Sequence, residues 1–187
     1  MFEDLYKKTF FFLSGERKKY LKELVNQFDD KRDELFSVFN NKTLVQGDIV
    51  NLLQFINIIG EGKASKKNLK GIIISNSCDI SNDNNILISP VYDFSVYNEI
   101  YKDNSSYIYE LKKNYICELF YLPEFKEYKG FVADFSETMS FNTELINENL
   151  KNDKIKRIAT LSLNGWYFLM NKLALYFFRP DSSEVTR

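Results

Sequence analysis

The first forty residues carry the hydrophobic spacing of a helix. Between Tyr20 and Phe39 the apolar residues recur mostly three or four positions apart, with charged residues between them. This spacing collects the apolar side chains on one face of a helix. Ser14-Gly15 divides the segment into a short helix and a long one. We predict an N-terminal helical extension over residues 1–41, separate from a second domain over residues 42–187.

The rest of the chain alternates short apolar runs with polar turns, which is the pattern of β-strands. The predicted strands are Thr43–Val50, Leu52–Ile59, Ile72–Ser75, Ile86–Val91, Tyr107–Leu111, Tyr115–Leu122, Lys129–Phe135 and Ile155–Leu161.

Helical or irregular structure is predicted at three places between and after these strands. A short helix is expected around Val96–Tyr101, and Thr143 is a candidate N-cap for a helix in the ambiguous stretch 140–150. A final helix begins near Asn164 and is stopped by Pro180. Gly60–Gly71 is predicted to be a flexible polar loop. The fold class is therefore α+β: a small antiparallel β-barrel flanked by N-terminal helices and a C-terminal helix.

Composition supports a β-rich globular protein. Hydrophobic residues make up 44 % of the chain and charged residues 27 %, whereas aromatic residues reach 16 %. Aromatic side chains favour half-buried, pleated surfaces. The formal net charge is -1, so the chain has no global field that attracts nucleic acid, and only a local basic patch could do so.

Histidine is absent, which removes the commonest acid/base at neutral pH and every His-based triad. The two cysteines, Cys78 and Cys117, make neither a disulfide framework nor a zinc site, so we predict reduced thiols in a cytoplasmic protein. No signal peptide and no membrane span are visible. We expect no cofactor and no metal site.

Five segments together resemble a widespread, poorly characterised bacterial family. They are Gln-Gly-Asp-Ile at 46–49, Ile-Ile-Ile-Ser-Asn-Ser-Cys-Asp-Ile at 72–80, Phe-Tyr-Leu-Pro at 120–123, Phe-Val-Ala-Asp-Phe at 131–135 and Arg-Ile-Ala-Thr-Leu-Ser at 157–162. The resemblance runs from residue 44 to about residue 180 and leaves out the helical segment at the N-terminus.

A more distant resemblance is to the MazF/PemK toxins, which are SH3-like barrels. In that family a Gly-Asp-Ile or Gly-Asp-Val strand is followed, after a loop, by an apolar strand that ends in Ser. Gly47–Val50 and Ile72–Ser75 are similar to that pair. The resemblance implies an SH3-like barrel and places Ser75 at a position that takes part in RNA cleavage. The arginine that this family has in the preceding loop is missing, since all the basic residues at positions 60–71 are lysines.

The end of the apolar run at 72–74 collects small polar side chains, including Ser75, Cys78 and Asp79. Strand-to-loop junctions are common places for functional residues. Without a histidine the Cys78 thiol lacks the usual activating base, and a buried structural cysteine is the competing interpretation. Asp79 either acts in a site or caps a turn. Asp48, Asp79 and Asp134 are the carboxylates that could hold Mg²⁺ if the fold brought them together.

Lys63, Lys66, Lys67 and Lys70 make the loop at 60–71 basic. The loop either holds a nucleic-acid backbone or is simply solvated. Tyr92, Tyr97 and Tyr101 either line a pocket or belong to the core.

We predict a non-catalytic intracellular binding or regulatory module that recognises a protein or nucleic-acid partner, in a bacterial defence or toxin–antitoxin context. Its contacts would be Lys63, Lys66, Lys67, Lys70, Cys78 and Asp79. The alternative is a MazF-like, metal-independent endoribonuclease that uses Ser75, Lys67 and Asp79. A protein partner is expected, RNA or DNA stays open, no membrane is expected, and a homodimer through the N-terminal or C-terminal helix is left open.

Overall fold

The computed structural model describes residues 34–38, 43–60, 63–82 and 84–178. The strands are β1 (Phe36–Ser37), β2 (Asp48–Gly60), β3 (Lys63–Ile73), β4 (Asn85–Asp93), β5 (Leu119–Leu122), β6 (Phe131–Asp134), β7 (Met139–Asn142) and β8 (Arg157–Leu161). The α-helices are α1 (Ser77–Asn82), α2 (Phe94–Ile100), α3 (Ser105–Lys112), α4 (Thr143–Lys151) and α5 (Leu163–Phe178). A 3₁₀ turn covers Phe135–Glu137.

The eight strands of the described segments belong to one antiparallel sheet with the order β1-β8-β2-β3-β4-β6-β5, and β7 continues beside β4. The α+β class and the antiparallel sheet are thus confirmed. The predicted closure into an SH3-like barrel is not confirmed, because the strands of the described segments form an open path. Its end strands, β1 and β5, are not paired with each other.

The N-terminal helices predicted over 1–41 lie mostly outside the described residues. For the part that is described, the helical prediction is wrong, since Phe36 and Ser37 pair with Leu161 and Thr160 of β8. Leu35 beside them is fully buried. Backbone pairing and burial at the sheet edge outweigh the helical spacing of this short stretch.

The polar loop predicted at Gly60–Gly71 is strand β3, which pairs with β2 from Ile49↔Ile72 out to Gly60↔Lys63. β2 and β3 therefore form a long antiparallel pair, and we call residues 53–60 and 63–69 of it the arm. Asn51 and Leu52 interrupt the register of β2, and Leu52 has a φ of 57°. Such a bulge bends a strand. The bulge lies where the pairing of β2 with β8 ends. There the Asn51 amide donates to the Lys156 carbonyl, and the Asn51 side-chain oxygen accepts from the Lys156 amide.

The sheet has a helix-covered core on each face. Ile49 and Ile72 pack with Leu169 of α5, whereas their neighbours Val50 and Ile73 pack with Ile146 of α4. Consecutive strand residues point to opposite faces, so α5 and α4 cover opposite faces of the sheet.

The α4 face carries a second apolar cluster at its other end. Val132 of β6 packs there with Phe94 of α2 and Leu111 of α3. Val132 is paired with Tyr92, which shares its face with Ile88 of the α4-side cluster because the two are four residues apart on β4. Tyr92 thus stands between the two clusters, in a gap that the helices leave open.

Of the remaining predicted elements, those with many buried apolar residues agree with the structure. Strands β4, β6 and β8 and helix α5 are confirmed, whereas Pro180 lies outside the described residues. The helix predicted near 96–101 is α2, and the ambiguous stretch 140–150 contains α4, whose N-cap is Asn142 and not Thr143. The strand predicted at Tyr107–Leu111 is wrong, because α3 is capped there by Asn104, which accepts from the Tyr107 amide.

Candidate functional site

The predicted junction at Ser75–Asp79 leads from β3 into the short helix α1. The Ser75 hydroxyl accepts a hydrogen bond from the Leu87 amide at 2.8 Å, and the Ser77 hydroxyl accepts one from the Gln46 amide at 3.1 Å. Cys78 and Asp79 are exposed on the first turn of α1. The two serine hydroxyls therefore tie the end of β3 to its neighbours, while the thiol and the carboxylate face solvent.

Gln46, from the Gln-Gly-Asp-Ile segment, joins this junction to helix α5. Its side-chain amide donates to the Ile74 carbonyl at 2.7 Å and accepts from the Trp166 indole at 2.8 Å. These bonds satisfy a side chain that is only 8 % exposed. Gln46 thus links the end of β3 to helix α5 just before β2 begins.

Asp48 of the same segment is fully buried and fully bonded. Its carboxylate accepts from the Val45 amide at 2.9 Å, from the Thr160 hydroxyl at 2.7 Å and from the Arg157 guanidinium at 2.9 Å. Buried charges are tolerated when they are paired and hydrogen-bonded in this way. The arrangement describes a structural ion pair.

The fold does not bring together the three carboxylates that could hold Mg²⁺, those of Asp48, Asp79 and Asp134. Asp48 lies on β2 and Asp134 on β6, with β3 and β4 between them, which is roughly 14 Å of strand spacing. No group of three or more Cys, Asp or Glu side chains in the described segments is arranged to hold a metal ion.

The four predicted lysines separate along β3. The Lys70 ammonium is 2.9 Å from both carboxylate oxygens of Asp93 and lies over the rings of Tyr128 and Phe131. Lys63 and Lys66 are exposed on the arm. Lys67 lies on the same face as Leu69, and both line a cleft against the sheet.

Lys67 and Ser75 do not share a site. Ile73, the last residue of β3, lies six positions after Lys67 along extended strand, which amounts to roughly 20 Å. The three residues named for ribonuclease activity are therefore divided, with Ser75 and Asp79 at one end of β3 and Lys67 towards the other.

The cleft lies between the arm and the 3₁₀ turn at Phe135–Glu137, and its volume is about 280 Å³. The arm bends over β7, where the Ile56 amide donates to the Met139 sulfur at 3.3 Å and Phe55 meets Phe141 edge-on. The lining is apolar at Phe55, Ile56, Leu69 and Met139, and polar at Asn57, Lys67, Tyr92, Ser136, Glu137 and Thr138.

A chain of four tyrosine rings extends from the cleft. Tyr92 meets Tyr97 edge-on at 5.9 Å, Tyr97 stacks on Tyr101 at 6.3 Å, and Tyr101 contacts Tyr107 at 4.1 Å between centroids. The Tyr92 hydroxyl donates to the Glu137 carboxylate. We call these four rings with Glu118, Asp134 and Glu137 the tyrosine–carboxylate surface.

Helices α2 and α3 and the 3₁₀ turn position this surface. Tyr97 lies on α2 and Tyr107 on α3, while Asp134 begins the 3₁₀ turn, accepting from the Ser136 amide at 2.9 Å and from its hydroxyl. That cap places Asp134 and Glu137 at the two ends of one turn.

The electrostatics of the surface are those of a negative, half-desolvated region. Burial raises the pKa of Tyr97, with Asp134 as the largest coulombic contribution, and burial with the Glu137 bond raises the pKa of Tyr92. Burial, and then Tyr101, raises the pKa of Tyr107 to about 12. Burial also raises the pKa of Asp134 against its bonds to Ser136, and Glu137 and Glu118 add to the rise. Tyr92, Tyr97 and Tyr107 therefore stay neutral at physiological pH, and the ion pairs within the described segments involve none of the three carboxylates of this surface.

Of these residues, the sequence indicates Tyr92, Tyr97 and Tyr101 as lining a pocket or belonging to the core, but it does not indicate Tyr107 or Glu137. The predicted strand at Tyr107–Leu111 gives no reason to expect Tyr107 near Tyr101. Glu137 had no signal beyond its closeness to Asp134 in sequence.

No protein-family model matches the chain, and no curated protein matches it significantly. Within the described segments no helix is long and apolar enough to cross a membrane.

Proposed function

We propose that the chain is a non-catalytic binding module that recognises a protein partner through a Lys or Arg side chain placed on the tyrosine–carboxylate surface. The observation that carries the proposal is the position of Asp134 and Glu137 beside a continuous chain of tyrosine rings. The face of an aromatic ring attracts a cation, and partial desolvation strengthens the attraction. Nearby carboxylates add a coulombic contribution of the same sign.

The same charges favour a basic protein segment over nucleic acid at this surface. Glu118, Asp134 and Glu137 would repel a phosphate backbone, and Lys67 is the one cationic side chain among the residues that line the adjoining cleft. A basic residue of a protein partner gains from each of the three carboxylates.

The cleft supplies the second half of the recognition. Tyr92 and Glu137 belong both to the tyrosine–carboxylate surface and to the cleft, so a cation at the surface lies next to the apolar lining of Phe55, Leu69 and Met139. A volume of about 280 Å³ is at the lower end for ligand pockets and suits one large apolar side chain. The partner motif is therefore a basic residue beside an apolar one.

Acetylated tetrapeptides test the motif directly. Gly-Arg-Leu-Gly and Gly-Lys-Leu-Gly should perturb the NMR signals of Tyr92, Tyr97 and Glu137, whereas Gly-Glu-Leu-Gly should not. Combining Asp134→Asn with Glu137→Gln should weaken binding about tenfold, since cation–aromatic and charge contributions of this kind are worth about 1–2 kcal/mol. Glu124→Gln is the matched control, because that carboxylate is exposed on another loop and faces Lys129 at 3.6 Å. Equal binding of the Arg and Glu peptides would refute the proposal.

The MazF/PemK resemblance would place the module in a toxin–antitoxin context. What supports this part is that β2 and β3, which carry Asp48–Val50 and Ile72–Ile73, are antiparallel neighbours with Ile49 opposite Ile72. The non-catalytic part of the proposal is tested by incubating the protein with total RNA in the absence of metal ions. We expect the RNA to stay intact, and specific fragments that vanish in Ser75→Ala or Lys67→Ala would establish the endoribonuclease instead.

A further inference from the structure

A second cavity, of about 450 Å³, lies at the start of helix α4 and shares no lining residue with the cleft. Polar side chains dominate it, and Ile80 is its one apolar lining residue. The others are Thr43, Asn82, Asn84, Asn142, Thr143, Glu144, Asn147, Glu148 and Lys151. A cavity of this size is large enough for a small organic ligand.

Thr143 is the buried residue of this lining that lacks a partner. Its backbone amide donates to the Asn84 carbonyl at 2.9 Å, but its hydroxyl has no hydrogen-bond partner although the side chain is only 7 % exposed. Buried hydroxyls in native proteins are nearly always bonded, so an unbonded one at a cavity is a reason to look for a ligand. The hydroxyl oxygen has almost no accessible surface in this conformation, so binding a ligand requires a rotation about χ1 to a second rotamer in which the oxygen faces the cavity.

The surrounding amides keep unused bonding capacity. Asn82 donates from its side chain to the Cys78 carbonyl, and the Asn142 oxygen accepts from the Leu145 amide, so each retains one group for a ligand. The side chains of Asn84 and Asn147 make no hydrogen bonds to the described part of the chain. Amides offer donors and acceptors side by side, which matches hydroxyl groups that both donate and accept.

The charged residues of the lining, and its lack of aromatic side chains, restrict the chemical class of the ligand. Glu144, Glu148 and Lys151 leave the lining with a net charge of -1, which disfavours an anion, and its four asparagine side chains match the hydroxyl groups of an uncharged ligand. None of the lining residues is aromatic, so the cavity has no stacking platform for a nucleobase. We propose that this cavity binds a neutral polyhydroxylated molecule, either a monosaccharide or a cyclic polyol, with the Thr143 hydroxyl and the amides of Asn84 and Asn147 as its polar contacts.

The substitution Thr143→Val tests the proposal, because it removes the hydroxyl and keeps the shape of the side chain. Wild type and Thr143→Val are titrated separately with D-glucose, D-mannose, D-galactose, D-ribose and myo-inositol, and binding is followed by NMR and thermal unfolding. We expect at least one of these probes to bind wild type, and Thr143→Val to bind it about tenfold more weakly. Adenosine serves as the probe for a nucleoside and should not bind.

Two controls separate a binding role from a folding role. Sugars stabilise proteins in general by exclusion from the surface, and that effect should be equal in the two proteins. The free Thr143→Val protein should be at least as stable as wild type, because the lost hydroxyl had no partner to lose. Equal affinity of the two proteins for every probe, no binding of any probe to wild type, or a clear loss of stability in free Thr143→Val would each overturn the proposal.

Discussion

The Arg157 guanidinium donates to the Asp48 carboxylate over 2.9 Å, and neither side chain is more than 8 % exposed. Replacing Asp48 with Asn removes the carboxylate charge that lies against the buried Arg157 guanidinium, so we expect the free energy of unfolding to fall by about 3 kcal/mol. Urea denaturation measures this loss. Glu99→Gln, in the exposed pair with Lys102, is the control and should change stability by less than about 0.5 kcal/mol. A loss in Asp48→Asn no larger than in the control would show that the pair is not a structural one.

Gly165 of α5 makes a close approach to β1 that only glycine permits. A Cβ atom at this position would lie 2.2 Å from the Leu35 carbonyl oxygen and 3.1 Å from the Leu161 side chain. Because the first contact is with backbone, Gly165→Ala should push Leu35 and β1 away from β8, with a stability loss of about 1–3 kcal/mol. The neighbouring Trp166 is the single tryptophan of the chain, so its fluorescence reports the shift. Leu163→Ala, at an exposed position of the same helix, should leave both stability and fluorescence nearly unchanged.

Asp134 is expected to strengthen ligand binding but to lower the free energy of unfolding at neutral pH. Burial raises the pKa of its carboxyl group above 3.8, so the ionised form at neutral pH costs stability, whereas the protonated form present at lower pH does not. Asp134→Asn keeps an oxygen that can accept from Ser136, and it should be as stable as wild type or more so at neutral pH. The difference should shrink as the pH falls towards about 4, which denaturation at a series of pH values checks. A variant that is less stable than wild type at neutral pH would contradict this account.

The fold was predictable from the sequence where burial alone decides the element. Helix α5 and strand β4 carry apolar positions at the spacing that their cores demand, and both were predicted. The end of β3 agrees with the strand predicted at Ile72–Ser75, but its earlier part was not predicted, because Lys63, Lys66 and Lys67 lie on an arm whose exposed pairing with β2 leaves no hydrophobic alternation. The candidate site was harder to predict from the sequence than the fold. Lys67, Tyr92 and Glu137 line the same cleft but belong to three different elements. They come together only because the arm bends onto β7, and no local sequence pattern predicts that bend.

Lys172 of α5 gives the fold a pH dependence of its own. The side chain is 4 % exposed, and its ammonium donates to the carbonyls of Asn114 at 3.0 Å and Ile116 at 2.6 Å. Burial lowers the pKa of Lys172 from 10.5 to about 8, with Cys117 and Glu118 acting in the opposite direction. Between these two values the unfolded chain binds more protons than the folded one, so stability should rise with pH by up to about 1.4 kcal/mol per unit.

The measurement is best confined to the range from pH 8 to about 9.5, because the tyrosines act in the opposite direction above it. The pKa of Tyr107 rises from 10.0 to about 12 on folding, so its contribution to stability is present below pH 10 and is lost above. Lys172→Met should remove the rise in stability with pH, whatever its effect on stability at a single pH, whereas Lys154→Met at an exposed position should keep it. Urea denaturation of the three proteins across this range gives the slopes, and equal slopes for wild type and Lys172→Met would place the titration elsewhere.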